Sequence, residues 1–221
     1  MLAYEEDRFC LSLEELPAVT IENSSIDFNV LPLTASIHFK TSVAGGGCRG
    51  LLNKYSSMSM NGWSIMTYSG VLRIYYFGGS ERSKIQWESS QIQVCDDQWH
   101  HVAMTISDKK EVGMCLYIDG ELKETTPWTG IPRKCSNDYQ SVQIGAYDFA
   151  FDGLLREAAV WHACLDAKEV KLLSQHTPPQ HVCSAKLLGA WPCDEGQGNV
   201  LHDLANSHPG KIHGRAQWRA V

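Results

Sequence analysis

Apolar and polar residues alternate with a period of two through most of the chain between residues 35 and 161. That pattern dictates strands packed by one face. Val102, Met104 and Ile106 occupy every second position of one run, and Met114, Leu116 and Ile118 repeat the pattern in the next. Successive side chains of an extended backbone point to opposite faces, so each such run has one apolar face to bury. Similar runs cover 35–40, 50–54, 71–77, 84–87, 91–94, 141–144 and 153–161. Asn61-Gly62 follows Ser57–Met60 and precedes Trp63–Met66, and Asp119-Gly120 lies between Leu116–Ile118 and Glu121–Lys123. Both pairs suit two-residue hairpins, whose central positions need positive φ. Many short strands at close spacing predict an all-β sandwich or barrel.

One helix is expected, near 166–175. Asp166 can cap it with Glu169 three residues on, and Val170, Leu172 and Leu173 supply the apolar stripe. It must stop before Pro178-Pro179, since proline lacks the donor and restricts the residue before it. Residues 176–186 form the candidate linker, and 187–191 and 210–214 read as two further strands.

Charge excludes one class of partner. Nineteen Lys and Arg against 25 Asp and Glu leave a net charge of −6. Nucleic-acid binding needs a surplus of cations to displace counterions, so no nucleic-acid partner is expected. No apolar run reaches the 18 residues of a membrane helix, so no membrane insertion is expected. Eight cysteines suit an oxidising compartment, which favours an extracellular or lumenal setting over the cytosolic alternative in which they are free core thiols, and Cys183 and Cys193 are candidates for a bridge across a hairpin. Residues 1–8 carry acids where a secretory leader carries bases, so the chain is expected to be a piece of a longer protein.

Several motifs invite a catalytic reading and fail on context. Gly45-x-Gly47-x-x-Gly50 matches a dinucleotide fingerprint by letter, but a short strand follows it instead of a helix. The adjacent acids Asp96-Asp97 and Asp194-Glu195 would point to opposite faces of a strand, whereas glycoside hydrolysis needs two carboxylates flanking one bond. His162-x-Cys164 and His181-x-Cys183 are single pairs without the partner spacing of a zinc site. The aromatics are more informative. Trp99, Trp161, Trp191 and Trp218 lie beside apolar neighbours and read as core, whereas Tyr75, Trp87, Trp128, Tyr147 and Phe149 lie among polar residues or in loops. Exposed aromatics of that kind stack on the apolar faces of sugars, so these five, with Asp148, are the candidate ligand-binding residues.

Three strings, taken together, carry a family resemblance. They are Asp97 to Thr105, Leu116 to Gly120, and Ile144 to Ala146 followed by Phe151 to Val170. In that order and spacing they resemble the LamG-like jelly roll of the concanavalin A-like lectin/glucanase superfamily. The resemblance implies a two-sheet antiparallel jelly-roll sandwich and a non-catalytic module that binds a glycan, a glycoprotein or another protein partner. A scaffolding domain without sugar binding is the alternative. In the family a structural calcium is often held by an acid at the position of Arg156, and a cation there would repel the metal. No cofactor is therefore expected unless Asp119, Asp138, Asp148 and Asp152 form another calcium site through their oxygens. Residues 190–198, 201–206 and 209–214 resemble the family's opening strands, yet they come last here. The expectation is one domain over 1–221, with 182–221 supplying the opening strands in permuted order and Leu188, Ala190, Ile212 and Trp218 pointing inward.

Overall fold

The structure is a computed structural model that describes residues 9–13, 18–21, 27–80, 83–205, 208–214 and 217–220; within it the side chains of 80, 87 and 89–91 are not described. The strands, in chain order, are β1 (Phe9–Leu13), β2 (Ala18–Ile21), β3 (Leu33–Lys40), β4 (Arg49–Ser56), β5 (Asn61–Tyr68), β6 (Val71–Ser80), β7 (Ser83–Gln93) and β8 (Trp99–Ile106). They continue with β9 (Met114–Ile118), β10 (Glu121–Thr126), β11 (Val142–Ile144), β12 (Gly153–Trp161), β13 (Leu187–Trp191), β14 (Val200–Leu201), β15 (Gly210–His213) and β16 (Gln217–Ala220). One α-helix, α1 (Ala167–Ser174), follows β12.

The strands form two antiparallel sheets. The first runs β10-β9-β8-β3-β12-β1-β16, with β13 also paired to β12; the second runs β14-β15-β2-β11-β4-β5-β6-β7. Their inner faces enclose one core that includes Leu11, Val19, Ile37, Trp63, Ile74, Met104, Leu116, Ile144 and Leu155. These residues obey the period-two pattern, and their burial is the main drive to fold. The antiparallel sandwich and its single helix match the fold class expected from alternation and resemblance.

The chain after the linker joins both sheets. β13 pairs with the later half of β12 (Ala159 opposite Ala190), and β16 pairs with β1 (Leu11 opposite Trp218). β15 pairs with β2, placing Ile212 opposite Val19. Ala190 and Ile212 are buried, while Leu188 and Trp218 are partly buried against the core.

Local signals fared unevenly. Asp119 and Gly120 turn β9 into β10 with φ of 54° and 76°, as a two-residue hairpin requires. Asn61-Gly62 instead opens β5, and the turn falls on residues 57–60. Gly62 is needed for a different reason: a Cβ there would sit 1.9 Å from the Lys54 carbonyl oxygen. The runs 84–87 and 91–94 belong to one strand, β7. Asp166 caps α1 by accepting from the amides of Lys168 and Glu169, and Glu169 closes the capping box. All eight cysteines are free thiols, so the Cys183–Cys193 bridge is not formed. Cys193 is fully buried beside Trp191, whereas Cys183 borders the packing on the opposite face of the first sheet.

α1 and the linker lie on the outer face of the first sheet. Val170, Leu173 and Val182 pack there against Ala103, Tyr117, Ala159 and Trp161, forming a second apolar cluster. On the outer face of the second sheet, the segment after β11 covers part of the surface, and Asn53, Ser64, Tyr55 and Phe77 there are buried.

Candidate functional site

Strand register builds an aromatic cluster on the outer face of the second sheet, in which Tyr55 and Phe77 are buried and Tyr75 and Tyr147 are half-buried. Ser64 lies opposite both Asn53 of β4 and Tyr75 of β6, so all three share the outer face. Period two then adds Tyr55 and Phe77 to that face. Tyr147 joins from the segment after β11. The Tyr55 ring lies 5.9 Å from Tyr75, 5.7 Å from Phe77 and 5.8 Å from Tyr147, centroid to centroid. Tyr75 meets Phe77 edge-on at 5.9 Å. These separations are those of favourable aromatic contacts, so each ring holds its neighbours in place.

Polar groups adjoin the cluster. Arg73 forms an ion pair with Glu88 on β7, and its guanidinium lies 3.8 Å from the Tyr68 ring centroid and 6.0 Å from that of Tyr75. Beneath the rings, Asn53 Nδ2 donates to the Ala146 carbonyl at 2.5 Å, but Asn53 Oδ1 and Ser64 Oγ are buried without hydrogen-bond partners among the described residues. A buried unpaired polar atom costs about 1–3 kcal/mol, so its retention on one face calls for an explanation. Burial pushes the Tyr75 and Tyr147 phenols upward, with Arg73 partly opposing the effect at Tyr75, so both rings stay neutral at physiological pH.

The candidate residues named from sequence divide as follows. Tyr75 and Tyr147 converge on Tyr55. Phe149 is 52% exposed at the rim, where its amide donates to the Cys48 carbonyl at 3.1 Å and the Arg49 guanidinium stands 6.0 Å from its ring. It rests on Gly47, where any Cβ would come within 2.5 Å of the ring. Asp148 is exposed beside it. Trp87 lies on β7 by backbone, and its side chain is outside the described residues. Trp128 is a correction: it is 4% exposed, packs edge-on against Tyr76 at 5.2 Å and donates from Nε1 to the Ser107 carbonyl at 2.8 Å. The 127–141 loop folds inward, so Trp128 presents nothing to a surface ligand.

The acids considered for calcium do not converge. Asp119 bonds His100, and Asp138 accepts from Asn29 Nδ2 at 2.7 Å. Asp148 and Asp152 are exposed, and none of the four belongs to a group of three ligands within reach of one ion among the described residues. Arg156 instead lies over Trp99, 4.2 Å from guanidinium carbon to ring centroid.

Sequence reasoning missed Tyr55 and Phe77, although each stands two positions from a residue on the same face. It also missed a cluster on the first sheet. His101 of β8, His38 of β3 and Arg156 of β12 face one another in a row across three strands. His176, just beyond α1, stacks on His38 with ring centroids 4.5 Å apart. Glu157 lies 2.8 Å from His176 Nδ1 and 3.1 Å from His38 Nδ1. Burial would raise the Glu157 carboxyl, but the two imidazoles outweigh it and hold it well below the usual carboxylate range. Burial lowers His38 and, more strongly, His101.

Comparison with known families agrees with this architecture. A family model described as "Concanavalin A-like lectin/glucanases superfamily" matches residues 16–171. The chain belongs to this superfamily. No curated protein matches the chain in sequence. Among solved structures, a Bacteroides ovatus protein to which carbohydrate binding has been ascribed superposes with a TM-score of 0.74 at 14% identity. That match covers 97% of this chain and 60% of the other, so this superfamily member spans less than two thirds of that structural relative. The CBM40 module of a Ruminococcus gnavus sialidase, solved with α2,3-sialyllactose, superposes with a TM-score of 0.56 at 15% identity, covering 75% of this chain and 97% of the module. Domains LG4-5 of the mouse laminin α1 chain give 0.54 at 12% identity, covering 72% and 43%. At such identities the likeness establishes the fold.

Proposed function

We propose that this superfamily member is a non-catalytic binding module that recognises a carbohydrate, or a glycosylated partner, through the outer face of the second sheet. The observation that carries the reading is the pair of half-buried rings Tyr75 and Tyr147, backed by the buried Tyr55 and Phe77, with Phe149 exposed at the rim and Arg73 and Glu88 alongside. Rings supply apolar contact for a sugar face, and the solvent-reaching Arg73 and Glu88 side chains supply hydrogen bonds for its alcohols. The related R. gnavus module binds a sialylated sugar on the same fold. A hydrolytic reading is weaker, because it needs two carboxylates flanking a bond, and Glu88 on this face is engaged by Arg73.

A glycan array probed with the wild-type chain and with Tyr75→Ala tests the reading. Binding is expected for the wild type, weakened by about two- to tenfold in the variant at unchanged fold, from the loss of one aromatic contact. An array that stays blank while a purified protein partner binds tightly would replace the glycan reading with a scaffolding one. We also propose that 182–221 stands in for the family's opening strands in permuted order within a single domain. The pairings of β13, β15 and β16 with β12, β2 and β1 support that reading.

A further inference from the structure

The imidazole cluster on the first sheet carries an inference separate from glycan binding. Its parts come from three elements. His38 projects from β3, Glu157 from a bulge in β12, and His176 from the turn that ends α1. The bulge lies where β12 changes partner, pairing with β1 through Leu155 and with β13 from Ala158 onward. Glu157 has φ of 54° and His176 φ of 62°, both in the left-handed region that non-glycine residues avoid. Two strained residues therefore meet at one point, and their side chains converge there with that of His38.

The donors are under-used in the structure. His38 Nδ1 stands 3.1 Å from Glu157 Oε2, and His38 Nε2 has no hydrogen-bond partner. Both ring nitrogens of His101, 4.6 Å away by ring centroid and 2% exposed, also lack partners. Leaving so many buried nitrogens unpaired is costly, and a bound ion would relieve the nearest of them. One ligand atom each from His38, Glu157 and His176 lies within 4.8 Å of the others. Two imidazoles and a carboxylate on such a triangle suit a divalent first-row transition ion with a fourth position left for water.

We propose that His38, Glu157 and His176 form a Zn²⁺-class metal site that ties the end of α1 and the linker to the first sheet. Arg156 competes with the ion. Its Nη2 donates to His176 Nε2 at 3.1 Å, which leaves the ring proton on Nδ1, facing Glu157. Metal on Nδ1 moves that proton to Nε2 and releases the guanidinium, which already rests on Trp99. Arg156 is thus a positioning residue for the empty state, and its removal should favour the loaded one.

The test uses the full chain stripped with a chelator, Zn²⁺ by calorimetry and Co²⁺ by its visible absorption bands. One ion per chain is expected, with a higher Tm on loading, as ligand linkage demands. Affinity should fall at least about tenfold in His176→Ala and Glu157→Gln, and rise in Arg156→Met, which keeps the contact with Trp99. Failure to bind Zn²⁺, or binding that His176→Ala and Arg156→Met leave unchanged, overturns the site. His176 is partly exposed in a turn, so its variant remains informative even if Glu157→Gln fails to fold.

Discussion

Replacing Trp191 probes how far the C-terminal strands belong to the core. Trp191 ends β13, is fully buried and packs 6.2 Å from Phe28 by ring centroid. Gly189, two residues earlier, makes room for it, since a Cβ there would lie 2.4 Å from the indole ring. Nε1 donates to the His208 carbonyl at 2.9 Å, and the buried Asp203 carboxylate holds that segment by accepting from the amides of Ala190, Ala205 and His208. Trp191→Ala removes a large apolar side chain and leaves a cavity, which costs about 3–5 kcal/mol. It also strands the His208 carbonyl, adding about 1–3 kcal/mol if water cannot reach it. Trp191→Phe keeps most of the packing and should lose only about 1–2 kcal/mol, chiefly the hydrogen bond. Against a total stability of about 5–15 kcal/mol, the alanine variant should be close to unfolding. Urea denaturation separates the outcomes: the midpoint should fall steeply for alanine and modestly for phenylalanine, at unchanged m-value. A loss below about 1 kcal/mol for Trp191→Ala would show that the C-terminal strands are not integral to this core.

Three further outcomes are expected. A chain ending at residue 180 loses β13 to β16 and uncovers β1, β2 and part of β12, so it should be insoluble or strongly destabilised; a monomer with unchanged melting would refute the single-domain, permuted reading. Asp166→Ala removes the two cap bonds of α1 and should cost about 0.5–2 kcal/mol, read as a drop in Tm, while an unchanged Tm would show that the cap adds nothing. His100, bonded to Asp119 at 2.9 Å and Asp96 at 3.1 Å, has its pKa raised mainly by Asp119 against the opposing effect of burial. Its contribution is therefore present below the ordinary histidine value and lost as pH rises through the raised one, so the Tm gap between wild type and His100→Gln should narrow from pH 6 to pH 9; a widening gap would contradict the assignment.

Much of the fold was legible because it rests on local repetition. Val102-x-Met104-x-Ile106 needs only a period of two, the Asp119-Gly120 turn needs only its own two residues, and the α1 cap needs only Asp166 and Glu169. What escaped depends on register or on distant chain. Gly62 looks like half of a turn, but its φ of 114° serves the close approach of the Lys54 carbonyl and the Asn137 amide. Trp128 has polar neighbours in sequence, yet Lys54 Nζ and Tyr76 Oη donate to carbonyls of its loop and draw it across the end of the core. The cluster around Tyr55 requires β4, β5 and β6 in register, and half of it was missed for that reason. The imidazole cluster requires a bulge at Glu157, and no turn residue in the sequence marks it.

The division of labour between the two sheets follows from what covers them. A sandwich buries its inner faces and leaves two outer ones, each of which must be solvated, covered or used. The first sheet places Ala103, Tyr117, Ala159 and Trp161 outward, and an apolar set of that kind needs a cover. α1 and the linker provide it through Val170, Leu173 and Val182, which removes most of this face from contact with a partner. The second sheet places aromatic rings outward among Asn53, Ser64, Arg73 and Glu88. Mixed rings and polar groups are stable against water yet keep apolar area in reserve for a ligand that offers both chemistries. A sugar does so, with one apolar face and a rim of hydroxyls. On the reading proposed above, the half-buried Tyr75 and Tyr147 are the part of this face that such a ligand would meet.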